Sequence, residues 1–134
     1  MSRLSRYQNM QPLKRSVSWF LVVGALAALV HYIVAVTLEG WFDVKPAWSN
    51  LLGFCFAFPV SYVGHRNFTF PDQTKPHRQA FPRFFLVAIL GFLANQSLVL
   101  LALHFTMLPF WLVLALVMLV VAVSTYVLSK YWAF

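Results

Sequence analysis

Residues 61–70 read SYVGHRNFTF, and residues 125–134 read TYVLSKYWAF. Each stretch has a hydroxyl residue, then Tyr-Val, a basic residue four places after the tyrosine, and a closing aromatic pattern. At a constant offset of 64 residues, Tyr62 falls on Tyr126, Arg66 on Lys130, Phe68 on Trp132 and Phe70 on Phe134. The same offset runs backwards without a gap: Phe20 matches Phe84, Val23 matches Val87, Leu26 matches Leu90 and Leu29 matches Leu93. Val34 falls on Leu98, and His31 falls on Asn95. The chain reads as one unit written twice.

Composition says where that unit resides. Of the 134 residues 61% are hydrophobic and 10% charged, with a mean hydropathy of +0.75. Soluble domains carry about 25% charged residues, so this chain lacks the polar surface to coat a water-soluble globule. Four apolar segments follow, about 19–38, 47–64, 84–103 and 108–128. Each approaches the roughly 20 residues that a helix needs to cross the hydrocarbon. The first is too long for the apolar region of a signal peptide, and no convincing cleavage site follows it, so it reads as a retained span. Cys55, the single cysteine, reads as a small buried hydrophobe.

Charge orients the chain. Arg3, Arg6, Lys14, Arg15, Arg66, Lys75, Arg78, Arg83 and Lys130 all fall on one side of a four-span chain, and Lys45 alone falls on the other. The net charge of +7 is thus a topology signal rather than a nucleic-acid footprint, and the basic side is cytoplasmic by the positive-inside rule. Trp19 and Trp132 fall at that interface, and Trp41, Trp48 and Trp111 at the opposite one. The fold class is an all-α membrane protein: four transmembrane helices as two parallel-repeated hairpins, both termini cytoplasmic. The organisation is a basic N-terminal segment (1–17), a first two-helix repeat (18–64), an irregular cytoplasmic linker (65–83) and a second repeat (84–134). The outer turns are short, about eight residues in the first hairpin and fewer in the second. Pro46 and Pro109 suit first helical turns, and Pro59 should kink the second helix or free a carbonyl.

The polar residues are ordered by depth. Arg66 and Lys130 end the second and fourth helices. Just inside them, Ser61 with His65 and Thr125 with Ser129 are i, i+4 pairs, each on one helix face. His31 and Asn95 lie about 20 and 17 Å from the basic ends of their helices at about 1.5 Å per residue, near mid-membrane. Asn50 and Gln96 add two more polar groups. Together these residues could form a polar ladder from the basic surface inward, with Arg66 and Lys130 placed for phosphate. Snorkelling at helix ends explains the two cations equally well, and helix–helix hydrogen bonding explains the amides. Both readings stay open on the residues alone. No carboxylate lies in a span, which argues against a proton-coupled cation exporter. No phosphate loop, metal-ligand spacing or nucleophile–base pair is present, so neither catalysis, a metal nor a cofactor is expected.

WFLVVGALAALVH at 19–31, NLLGFCFAFPVSYVGHRNFTF at 50–70, RFFLVAILGFLAN at 83–95 and the TYVLSKYWAF ending together resemble the GtrA-like membrane proteins. The resemblance covers the chain from about Trp19 to Phe134. It implies a bacterial inner-membrane protein that moves a polyprenyl-phosphate-linked sugar, typically undecaprenyl-phosphate glucose, to the outer leaflet for envelope polysaccharide modification. Related domains fused to polyprenyl-phosphate glycosyltransferases imply an alternative role as anchor or scaffold for such an enzyme. Asn50, Asn95, Arg66 and Lys130 match the family's usual residue types. His31 stands where the family often has Asp, and Ser61, His65, Thr125 and Ser129 where it often has Asn. The implied binding set is Arg66 and Lys130 for the lipid phosphate, with His31, Asn50, Ser61, His65, Asn95 and Thr125 along the path. A homo-oligomer or a glycosyltransferase partner would complete so small a bundle.

Overall fold

The computed structural model describes residues 3–71 and 74–133, apart from the side chains of residues 3–13, Thr125, Ser129 and Ala133. Four helices follow one another: α1 (Arg3–Phe42), α2 (Pro46–Gly64), α3 (His77–Phe105) and α4 (Phe110–Leu128). One turn of π-helix extends α2 over His65–Thr69 and another extends α4 over Ser129–Ala133. Helix is the form that closes every backbone hydrogen bond within a lipid-exposed segment. α1, α3 and α4 are long and apolar enough to cross a membrane, and about a fifth of their most apolar stretch is buried. Their Leu, Val and Phe side chains face outward instead; Leu119, Val120 and Val123 each leave about 70% of their surface exposed. α2 is less apolar because it carries Ser49, Asn50, Pro59 and Ser61. It brings Ser49 and Asn50 into the buried interior of the bundle.

The duplication is legible in the backbone. α2 and α4 begin and end 64 residues apart, and so do their π-helical turns. α1 packs along α2 and α3 along α4, while α2 meets α3 and α1 meets α4 to close a ring of four. Contacts repeat across that ring. The Phe20 ring lies 4.5 Å from Tyr126, and its counterpart Phe84 lies 5.6 Å from Tyr62. Trp19 stacks on Phe68 at 5.0 Å, and the equivalent pair, Arg83 and Trp132, makes a cation–π contact at 5.8 Å.

Four expectations change. Cys55, expected to be a small buried residue, is exposed on α2. The basic N-terminal segment is not separate from the first span, because α1 runs unbroken from Arg3. The turns between paired helices are three residues (43–45) and four residues (106–109) long. In the first, Asp43 takes a left-handed φ of 55°, a conformation Asp tolerates better than most residues. The connection from 65 to 83 is largely helical: residues 65–69 form the π-helical turn, and residues 77–83 already belong to α3. Pro76 starts α3 by accepting the amides of Gln79 and Ala80 on its carbonyl. Pro82 lies inside α3, and Pro59 inside an unbroken α2.

One apolar cluster, Ala35, Val99, Phe110, Val113, Leu114 and Val117, packs the end of the bundle away from the basic residues. A smaller one around Tyr62 and Phe84 packs the basic end. The polar groups and an open volume lie between them.

Candidate functional site

Helix pairing brings four polar side chains to one level. Asn50, on α2, is fully buried. Its Oδ1 lies 2.7 Å from His31 Nε2 on α1; an amide oxygen only accepts, so the imidazole donates from Nε2. Asn50 Nδ2 donates to Asn95 Oδ1 at 2.7 Å and to Gln96 Oε1 at 2.8 Å on α3. Gln96 Nε2 then donates to the Ala47 carbonyl at 3.0 Å. Asn50 thereby uses its oxygen and both amide hydrogens, as a buried amide must. The network ties α1, α2 and α3 together about one turn inside the start of α2.

Gly53 makes that closeness possible. A Cβ placed there would stand 2.6 Å from the His31 carbonyl oxygen and 2.7 Å from its Cδ2. Three turns further along α2, a Cβ on Gly64 would stand 2.5 Å from Val23 Cγ1. The residues 64 places on are Val117 and Leu128, so the second hairpin has no equivalent close approach.

Below the network, toward the basic end, a cavity of about 170 Å³ lies between all four helices. His31 and Asn95 stand at one end of it; Ser61 and His65 supply its remaining polar lining. Its walls are the rings of Phe54, Phe58, Phe84 and Phe92 and the small residues Gly24, Ala27, Ala57, Ala88 and Gly91. His65 is buried; its Nδ1 shares a hydrogen bond with Thr69 Oγ1 at 2.8 Å, and its ring stacks on Phe20. The i, i+4 relation of Ser61 and His65 thus does place both on one cavity wall.

The two cations behave differently. Arg66 donates from Nη2 to the Lys75 carbonyl at 3.0 Å, and its Nη1 is buried without a hydrogen-bond partner. Lys130 Nζ lies over the rings of Tyr126 and Tyr131, at 5.8 and 5.4 Å. The side chains of Thr125 and Ser129 lie outside the described residues. Among the described residues no group of three or more His, Cys, Asp or Glu side chains is placed to hold a metal ion.

Of the residues singled out in the sequence, His31, Asn50 and Asn95 meet directly, and Ser61 and His65 join His31 and Asn95 around the cavity. Gln96 belongs to the network as fully as Asn95 does. Its position, next to Asn95 on a helix that must bury one polar face, was the available signal.

Neither the curated proteins nor the solved structures compared with the chain contain a match. The family model of the GtrA/DPMS transmembrane domain matches residues 19–134. That range takes in both hairpins, the buried network and the cavity, and the chain belongs to the GtrA/DPMS transmembrane-domain family.

Proposed function

We propose that the protein is a flippase, or facilitator, that carries a polyprenyl-phosphate-linked sugar of the undecaprenyl-phosphate glucose type from the cytoplasmic to the outer leaflet of the bacterial inner membrane. The sugar then serves modification of envelope polysaccharide. The observation that carries this reading is the cavity: a space between all four helices, walled mainly by aromatic rings and small residues but reached by the polar groups of His31, Asn95, Ser61 and His65, in a bundle whose outer surface suits lipid. Unsatisfied polar groups cost several kcal/mol each in hydrocarbon, so a sugar needs such a path and its polyprenyl tail does not. The tail stays in lipid while the headgroup moves between helices.

In this mechanism Arg66 and Lys130 meet the phosphate at the cytoplasmic surface. Ser61, His65 and Thr125 take over hydrogen bonds from water, and the flat faces of the cavity's phenylalanines accept the apolar face of the sugar ring. His31 and Asn95 receive its hydroxyls at the far end. Passage beyond them requires the bonds among His31, Asn50, Asn95 and Gln96 to be exchanged for bonds to the sugar. Interhelical hydrogen bonds in membranes average about 0.6 kcal/mol each, so stepwise exchange imposes no large barrier. Consumption of the sugar on the outer side supplies the direction. A second copy of the chain, or a membrane glycosyltransferase, completes the route.

Proteoliposomes carrying the purified protein and a labelled polyprenyl-phosphate sugar test this. Wild-type protein should speed leaflet exchange, and an Arg66→Ala, Lys130→Ala double variant that inserts normally should lose most of that rate. Undiminished exchange in the variant removes the capture role. No exchange by the wild type, with copurification of a polyprenyl-phosphate glycosyltransferase, would favour the anchor or scaffold role.

A further inference from the structure

The two repeats treat one tyrosine differently. Tyr62, near the end of α2, shares a hydrogen bond with His77 Nδ1 at 2.8 Å. Tyr126, its counterpart 64 residues on, has a buried hydroxyl with no hydrogen-bond partner. In the repeat, the position 64 residues before His77 is occupied by Leu13, a residue type without a hydrogen-bonding group. The two units thus share the tyrosine but not a hydrogen-bonding residue at the position paired with it.

Two other buried polar atoms without a partner lie at this end of the bundle, Arg66 Nη1 and Ser16 Oγ. Ser16 is one turn before Phe20, whose ring lies 4.5 Å from Tyr126. Arg66 is four residues before Phe70, whose ring stacks on Tyr126 at 6.3 Å. All three can donate a hydrogen bond. A buried donor without an acceptor bears its desolvation cost uncompensated, and a charged one more so. Of the acidic residues, Glu39 and Asp43 belong to the opposite end of α1 and the turn after it, and Asp72, in the connection between the hairpins, lies outside the described residues. Lys130 above the Tyr126 ring adds positive charge on the same side, and a cation on the ring face makes the phenol a stronger donor.

We propose that Tyr126 and Arg66, with Ser16 as a third donor, form a phosphate-ester site at the basic end of the bundle. The site is asymmetric: it uses the tyrosine of the second repeat and the arginine of the first. Arg66 brings one guanidinium edge already fixed on the Lys75 carbonyl and offers Nη1; Tyr126 offers a neutral O–H from a ring held between Phe20 and Phe70. Lys130 contributes charge through the ring rather than a direct bond. This deepens the functional reading above and rests on it for the identity of the anion as a phosphate.

Binding tests it without requiring transport. Purified protein in dodecyl maltoside is titrated calorimetrically with dodecyl phosphate and, separately, with inorganic phosphate. Tyr126→Phe should weaken binding about tenfold, the loss of one charge-assisted hydrogen bond, and Arg66→Gln at least as much. Tyr62→Phe, whose hydroxyl is bonded to His77, should leave affinity unchanged. Without ligand the order reverses: Tyr126→Phe should melt at or above the wild-type temperature, since it removes an unpartnered hydroxyl, and Tyr62→Phe below it. A purely structural role for Tyr126 predicts the opposite melting result. Binding of dodecyl phosphate alone assigns the site to a lipid phosphate, and binding of both ligands with the same Tyr126 dependence assigns it to the phosphate group itself. Binding of neither, or equal losses in the two tyrosine variants, overturns the proposal. Intact transport with unaltered Tyr126→Phe affinity would overturn the site alone, and normal binding without transport would overturn the flippase reading alone.

Discussion

Asn50 is the residue on which the buried polar groups depend, because it gives hydrogen bonds to two neighbours and accepts one from a third. At about 0.6 kcal/mol per interhelical bond the three sum to roughly 2 kcal/mol, a large part of the stability of a small bundle. Asn50→Ala should therefore lower the unfolding free energy in detergent by about 2 kcal/mol. Asn95→Ala made on top of it should cost less than it does alone. A double-mutant cycle with no coupling between Asn50 and Asn95 would show that the network does not act as a unit. In the sequence, Asn50 was one polar residue in an apolar run. That it is the hub follows from its height on α2, opposite His31 and beside Asn95, which only helix pairing defines.

At the scale of elements, α1 and α2 form the tighter hairpin because glycine stands at the two contact points. Placing a methyl at Gly53 requires the His31 backbone to retreat, since a carbonyl oxygen 2.6 Å away cannot rotate aside. Gly53→Ala should cost about 1–3 kcal/mol, the usual range for overpacking, and should weaken the His31–Asn50 bond. Gly40→Ala on α1 meets nothing within 4 Å and should be neutral or gain up to about 1 kcal/mol of helix propensity. Comparing the two melting temperatures separates a packing requirement from a general effect of alanine. The ends of α2 and α4 were legible from the basic-aromatic motif, and Pro46 marked a start. The full length of α1 was not, because polar residues before the hydrocarbon still form helix when they continue one already nucleated.

For the whole molecule, four consecutive antiparallel helices place both ends of the chain on one side, together with the arginines and lysines of the connection between hairpins. The positive-inside rule predicts that this side faces the cytoplasm, a prediction that labelling checks. In a Cys55→Ala background, Met107→Cys, at a fully exposed position between α3 and α4, should react with an impermeant maleimide added to intact cells. Gln79→Cys, at the start of α3 on the basic side, should react only after permeabilisation. The reverse pattern would invert the bundle, and with it the entry point proposed for the phosphate.

The amino-acid sequence by itself determined the membrane class, the number of helices and the 64-residue repeat. Those properties are written in hydropathy, segment length and the recurrence of residues along the chain. It also contained the difference between His77 and Leu13. Only the tertiary structure decided that Asn50 and Gln96 join His31 and Asn95, that the cavity stops at them, and that Tyr62 has a partner where Tyr126 has none. The physical reason is that hydrogen bonds between helices depend on the relative height and rotation of the helices. Those are set by where small residues such as Gly53 and Gly64 allow backbones to touch, a property of pairs of segments that periodicity within one segment does not carry.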